Sequence, residues 1–110
     1  MPTVLVFQAT ENVTVGTKKV LGTVDVSPYA EIRVVAYENV GGPTNIEILL
    51  EFTEAPSGGT AIGPLDTLTL SPNSNQTKVY DVPGTYLAIT ANALPGPTGF
   101  DGVGFFVYGN

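Results

Sequence analysis

The charged side chains in this sequence that could take part in acid–base or nucleophilic chemistry are ten carboxylates and four cations, because the chain contains no His and no Cys. Without imidazole or thiol groups, neither a Ser-His-Asp nor a Cys-His arrangement can form, and nearly all zinc and copper sites lose their usual ligands. A pair of carboxylates could still hydrolyse a glycosidic bond. The residue types therefore restrict catalysis to carboxylate or lysine chemistry.

The placement of the charged residues argues against both kinds of catalysis. Glu47 and Glu51 alternate with apolar residues in segment 46–53, and Glu31 does the same in the segment before it, so all three carboxylates are predicted to face solvent. Lys18 and Lys19 are adjacent and near a turn, which is typical of charges that protect an edge strand rather than of a desolvated nucleophile. We therefore expect a protein that is not an enzyme and has no catalytic residues.

Metal and cofactor sites are not predicted either. The expected loops contain several Asn and Asp residues, but none forms the Asp-x-Asp-x-Asp-Gly cluster of a calcium loop, and these residues are also preferred in tight turns. Gly102-Val103-Gly104 opens a strand instead of a helix, so it lacks the helix N-terminus that binds phosphate.

The elements that hold these residues are predicted to be short strands. Apolar and polar residues alternate with a period of two, and the 13 Gly and 9 Pro residues leave little room for helices. Turn residues recur roughly every ten positions, which favours a sandwich. We predict one domain over residues 1–110, an all-β antiparallel sandwich of eight strands, with jelly-roll topology favoured and an immunoglobulin-like sandwich as the alternative. The expected strands are residues 3–10, 18–26, 30–38, 45–54, 66–71, 77–82, 85–93 and 102–109.

If successive strands alternate in direction, every second connection lies at the same end of the sandwich. This brings together the predicted connections 11–17, 39–44, 71–76 and 94–101, whereas the long connection 55–64 lies at the other end. The shared end is rich in Asn, and we take it as the candidate ligand patch. A glycan is the expected class of ligand, although the sequence has no Trp, the side chain on which sugar rings stack best. The candidate ligand-binding residues in these loops are Asn12, Asn39, Asn73, Asn75 and Asp101.

The first and last predicted strands carry apolar side chains on both faces. Strict alternation places Leu5 and Phe7 on one face of the first strand, and Phe106 and Tyr108 on one face of the last. A sandwich covers one face of each strand, so a doubly apolar strand indicates a second cover, such as another subunit. The candidate subunit interface comprises Leu5, Phe7, Val35, Tyr37, Leu49, Phe106 and Tyr108.

The composition of the chain excludes some classes of binding partner. A net charge of −6 disfavours nucleic acid and anionic membranes, and no apolar run is long enough to span a bilayer. The first eight residues do not resemble a signal peptide, and two Asn-x-Thr triplets begin at Asn12 and Asn75.

We expect a structural subunit that self-associates into an oligomer, shell or filament, in an extracellular, virion or cell-surface assembly. The alternative is a carbohydrate- or cell-surface-binding module that uses the loops at one end.

Overall fold

The computed structural model of the chain describes residues 3–54, 66–82 and 85–110, and these ranges contain strands and turns but no helix. The predicted connection 55–64 lies outside the described residues. The strands are β1 (Val4–Thr14), β2 (Lys18–Asp25), β3 (Glu31–Glu38), β4 (Ile46–Thr53), β5 (Asp66–Leu70), β6 (Asn75–Asp81), β7 (Tyr86–Ala93) and β8 (Phe100–Gly109).

The eight strands form two four-stranded sheets in which every neighbouring pair is antiparallel. One sheet has the order β1-β8-β3-β6 and the other has the order β2-β7-β4-β5. Among the described strands, β4 and β5 are consecutive and paired, whereas the other connections cross from one sheet to the other. This interleaving of two four-stranded sheets is the jelly-roll arrangement. The prediction of an all-β, eight-stranded jelly roll is confirmed.

The core lies between the two sheets and follows from side-chain alternation. In β4, the side chains of Ile46, Ile48, Leu50 and Phe52 are buried, while the residues between them are half-exposed. Strands β3, β7 and β8 contribute their inward residues in the same way, so each central strand supplies one layer of aliphatic or aromatic contacts. Thr53, which alternation placed on the solvent side, is fully buried at the end of β4.

The first strand departs from strict alternation because of a β-bulge. Leu5 pairs with Tyr108, but Phe7 pairs with Val107, so the register shifts at Val6. One extra residue in a strand turns the following side chains to the opposite face. The expectation that Leu5 and Phe7 share a face is therefore wrong, since Leu5 points outward and Phe7 packs against the core.

Phe7 covers the open side of the sandwich between β1 and β2. Its ring stacks on Phe105 with 5.5 Å between the ring centroids. A Cβ atom at Gly22, on β2, would lie 3.0 Å from the same ring. Phe7 is therefore a core residue of this edge and not part of the outer surface of the sheet.

Polar contacts cover both open sides of the sandwich. Between β5 and β6, the Tyr80 hydroxyl donates to Asp66 at 2.6 Å, and Lys78 Nζ lies 3.3 Å from the same carboxylate. Between β1 and β2, Lys19 and Glu11 form an ion pair at 2.8 Å. The Tyr80 hydrogen bond is the main factor that lowers the pKa of Asp66, and burial followed by the Asp66 contact raises the pKa of Tyr80. These contacts join the two layers where the apolar core ends.

Gly104 leaves room for the aromatic ring of Tyr37 close to the backbone of β8. A Cβ atom at this position would lie 2.2 Å from Cζ of Tyr37, which is closer than any real contact. We expect Gly104→Ala to lower the free energy of unfolding by about 1–3 kcal/mol, as overpacking does elsewhere. Urea unfolding followed by circular dichroism measures this change. In a Tyr37→Ala background the ring is absent, so the same substitution should be neutral or stabilising; an equal cost in both backgrounds would rule out this clash.

Candidate functional site

Four connections meet at one end of the sandwich, as the alternation of strand direction predicts. The Val15 N–H donates to the Gly99 carbonyl at 3.0 Å, which ties the β1–β2 connection to the β7–β8 connection. Leu94 N–H donates to the Asn45 carbonyl at 3.1 Å, which adds the β3–β4 connection. We call this region the loop end.

The buried carboxylate of Glu38 organises the loop end. Glu38 is 2% exposed, and its Oε1 accepts the backbone N–H groups of Val40 at 2.9 Å and Gly41 at 2.8 Å. The N–H of Asn73, from the β5–β6 connection, reaches the same oxygen at 3.3 Å, while Gly42 donates to Oε2 at 2.9 Å. Four converging N–H groups make a binding site for an anion, and here the anion is the protein's own side chain.

A second carboxyl group, that of Asp101, is buried beside Glu38. Asp101 is fully buried, and its Oδ2 accepts a hydrogen bond from the Thr44 hydroxyl at 2.9 Å. Its Oδ1 has no hydrogen-bond partner among the described atoms and lies where a Cβ on Gly42 would be, 2.0 Å away. Only glycine therefore fits at position 42, because any side chain would collide with this carboxyl group.

The two buried carboxyl groups have opposite pKa shifts. Burial raises the pKa of Asp101; the Thr44 hydroxyl opposes this rise, and the negative charge of Glu38 adds to it. Burial also raises the pKa of Glu38, but the N–H groups of Gly42, Gly41, Asn73 and Val40 together outweigh it and hold the pKa below its ordinary value. Glu38 is therefore the anion of the pair and Asp101 the group that retains its proton more readily.

Three of the five predicted ligand-binding residues lie in strands and not in the loops where they were expected. Asn12 lies within β1 and Asn75 begins β6, because these strands extend into residues that were expected to be loops. Asp101 lies within β8 and is buried, so it cannot contact a ligand from this position. Asn39 and Asn73 are exposed loop residues, and Asn73 has a positive φ of 57°.

Two of these five residues line one open groove of about 320 Å³ beside the loop end. Asn12 and Asn39 form part of its wall, next to the ion-paired Glu11 and Lys19. Asn73 and Asn75 do not line it. The groove offers amide donors and acceptors but no aromatic ring.

The outer surface of the β1-β8-β3-β6 sheet carries a line of aromatic side chains. Tyr37 lies over Gly104 and stacks on Phe106 with 5.8 Å between centroids, and Phe106 stacks on Tyr108 at 6.2 Å. The guanidinium carbon of Arg33 lies 5.1 Å from the centroid of Tyr108. All three rings are half-exposed.

Aliphatic side chains extend this line to both edges of the sheet. Leu5 pairs with Tyr108 on the β1 side and is 48% exposed, while Val79 pairs with Arg33 on the β6 side and is 53% exposed. Val35, between Phe106 and Thr77, is half-exposed. We call this surface the aromatic face; it consists of Leu5, Arg33, Val35, Tyr37, Val79, Phe106 and Tyr108.

The outer surface of the β2-β7-β4-β5 sheet has a different chemistry, and we call it the polar face. Leu49, predicted to be an interface residue, lies here between Thr90 and Thr67, with Glu47 and Glu51 on either side along β4. The remaining outward residues are Lys18, Val20, Thr23, Asp25, Thr69, Tyr86, Ala88 and Asn92. Seven predicted interface residues are thus divided: five on the aromatic face, Leu49 on the polar face and Phe7 in the core.

The described ranges contain no group of three or more carboxylates placed to hold a metal ion. No helix that could cross a membrane occurs in them either.

Comparison with known proteins identifies the fold but not a family. No family model and no curated protein matches the sequence. A Bacillus endospore appendage, described as a disulfide-linked pilus, has a TM-score of 0.56 and 12% identity, with 98% of this chain and 88% of that chain covered. The acid-stable capsid of the Helicobacter pylori bacteriophage KHP30 has a TM-score of 0.54 and 16% identity, with coverages of 99% and 92%. The present chain therefore has the β-sandwich fold of these pilus and capsid proteins.

The buried carboxyl pair gives the stability of the chain a defined pH dependence. The raised pKa of Asp101 contributes stability that is fully present below the unfolded pKa of 3.8 and is lost as the pH rises through the folded pKa. The lowered pKa of Glu38 contributes stability that is present above its unfolded pKa of 4.5 and is lost as the pH falls through the folded pKa. The Asp101 contribution can be isolated by removing its charge.

We expect Asp101→Asn to be as stable as the wild type near pH 3 and progressively more stable as the pH rises. The difference should grow by about 1.4 kcal/mol for each pH unit between the unfolded and the folded pKa of Asp101, because the wild type must bury a charge where the variant does not. Urea unfolding between about pH 3 and pH 8 measures it. Asp25→Asn is the control, because hydrogen bonds from Ser27 lower the pKa of that exposed carboxylate, and it should not gain stability with rising pH. Parallel curves for Asp101→Asn and the wild type would contradict the assignment.

Proposed function

We propose that this chain is a non-enzymatic structural subunit that self-associates into an oligomer, shell or filament. The observation that supports this most directly is the aromatic face, on which three stacked rings and the side chains of Leu5, Val35 and Val79 meet solvent in the isolated chain. An exposed cluster of apolar side chains of this kind typically binds another protein. Aromatic side chains and Arg are also the residue types most enriched at interface centres.

The structural neighbours support the same class of function without specifying it. One is a pilus protein and the other a capsid protein, and both align over nearly the whole of this chain. An extracellular or virion assembly fits this proposal. A disulfide-linked assembly does not, since this chain has no cysteine, so non-covalent contacts between faces or edges hold the subunits together.

Light scattering coupled to size-exclusion chromatography tests the proposal, with electron microscopy of concentrated protein to show rings, shells or fibres. We expect the wild type to associate with rising concentration and Phe106→Glu to weaken association at least about tenfold, because a buried charge without a partner costs at least about 1.4 kcal/mol. Thr98→Glu adds the same charge on an exposed loop and should associate as the wild type does. A wild type that stays monomeric at millimolar concentration would contradict self-association.

The groove beside the loop end favours a second candidate, a glycan-binding module. Asn12 and Asn39 place two amide groups in its wall, and amides donate and accept hydrogen bonds as sugar hydroxyls require. Retention on insoluble polysaccharides tests this candidate. Asn39→Ala should reduce retention severalfold, whereas Asn75→Ala, which removes the same exposed side chain outside the groove, should not. Equal retention of both variants and the wild type would count against binding in this groove.

A further inference from the structure

We propose that two copies of this chain pair through their aromatic faces about a two-fold axis, so that the same residues line both sides of the contact. The inference rests on the proposed function and specifies the first contact between two subunits. The partner is a second copy of the chain, and the surface of that copy is again the aromatic face rather than the polar face.

The apolar character of the aromatic face favours the aromatic face of a second copy as its partner. The outward residues of the two sheets form rows across the strands, and the row Leu5, Tyr108, Arg33, Val79 is followed by the row Gln8, Phe106, Val35, Thr77. The rows of the polar face consist mainly of Thr, Asn and Glu. Pairing two aromatic faces removes apolar area from water on both sides of the contact, whereas pairing unlike faces would bury Glu47 or Glu51 against aromatic rings.

The distribution of charge favours the same partner. Each copy carries a net charge of −6, so two copies repel one another except where carboxylates are sparse. The outer surface of the β1-β8-β3-β6 sheet has two outward carboxylates, Glu31 and Asp81, which oppose each other at one end of the β3–β6 pair, outside the aromatic face. The polar face carries Asp25, Glu47 and Glu51 with the single cation Lys18. The centre of the aromatic face is therefore where a second copy meets the least repulsion.

Arg33 is the cation at that centre. It forms no ion pair with any described residue, and it already lies over the ring of Tyr108. Its delocalised charge is favourably placed above aromatic rings, and such contacts strengthen when water is excluded. In a face-to-face pair, each guanidinium would be covered by the aromatic line of the other copy.

The area available fits a weak pair. Four strands at about 4.8 Å spacing and eight residues at about 3.3 Å give the outer surface of the sheet, with the aromatic face at its centre, dimensions of about 19 Å by about 26 Å, or about 500 Å² per copy. The total of about 1,000 Å² lies in the range of weak, transient interfaces, below the about 1,200 Å² at which stable ones begin. We therefore expect a concentration-dependent pair rather than a permanent one.

Val35 provides a direct test of the symmetry. It lies in the middle row on β3, next to β8, and these are the two central strands of the sheet. A two-fold axis through this centre, whether along or across the strands, leaves the two copies of Val35 within about one strand spacing, about 5 Å, of each other in the plane of the contact. A single cysteine at this position should therefore face its own counterpart.

Because the chain has no cysteine, single-cysteine variants can be treated with a short bismaleimide without any background reaction. Val35→Cys should give cross-linked dimer and no larger product. Leu49→Cys, the matched variant at a half-exposed aliphatic position on β4, should give at least about tenfold less, because only an adjacent pair has a millimolar effective concentration. If Val35→Cys does not fold, a mixture of Gln8→Cys and Thr77→Cys, at the two ends of the same row, repeats the test without removing a ring. A two-fold axis along the strands places each of these cysteines opposite the other, and an axis across the strands places each opposite its own counterpart.

Two results would overturn the two-fold pairing while leaving self-association intact. If the wild type associates in light scattering but neither Val35→Cys nor the mixture of Gln8→Cys and Thr77→Cys yields dimer, the aromatic faces do not meet one another. If Val35→Cys is cross-linked only when mixed with Leu49→Cys, unlike faces meet and the contact is head-to-tail. A wild type that remains monomeric instead defeats the proposed function itself, and the pairing with it.

Discussion

A β-strand has two faces, and a two-layer sandwich covers only one of them. This constraint bears most heavily on β8, which lies between β1 and β3 and carries large apolar side chains on both sides. Phe105 completes the core, while Phe106 and Tyr108, which follow it in β8, point outward. Gly104 lets Tyr37 extend the outer line, so the same strand that closes the core also builds an aromatic surface that the fold leaves uncovered.

The strands and the core were predictable from the sequence because both depend on a period of two that recurs throughout the chain. All eight strands lie near their expected positions, and β4 buries the side chains that alternation placed inward. Phe7 was placed wrongly, because a single bulged residue at Val6 reverses the alternation and no turn residue marks it. β1 also continues to Thr14, since its pairing with the end of β8 outweighs the polar character of residues 10–12.

The sequence predicts which connections meet at the loop end, but not the contacts between them. Glu38 is the last residue of the expected strand 30–38 and no role is predicted for it, although an acidic residue shortly before Gly41 and Gly42 could have indicated a carboxylate bound by backbone N–H groups. Asp101 was assigned to a ligand-binding loop, yet it is buried against Gly42. Burial of a carboxyl group depends on which distant segments converge on it, and that information is absent from local sequence patterns.

The contrast between the two outer faces restricts how such a subunit could build anything larger than a pair. A two-fold contact uses the same surface on both copies and is therefore closed, so growth into a shell or filament requires a different, head-to-tail contact. The polar face, with its carboxylates and threonines, has the chemistry of a surface adapted to water. Strands β1, β6, β2 and β5 lie at the edges of the two sheets and keep unpaired backbone groups on their outer sides. If the proposed pairs assemble further, contact between such edges is one route to growth, and with a net charge of −6 per copy it should depend on ionic strength more than a contact between apolar surfaces does.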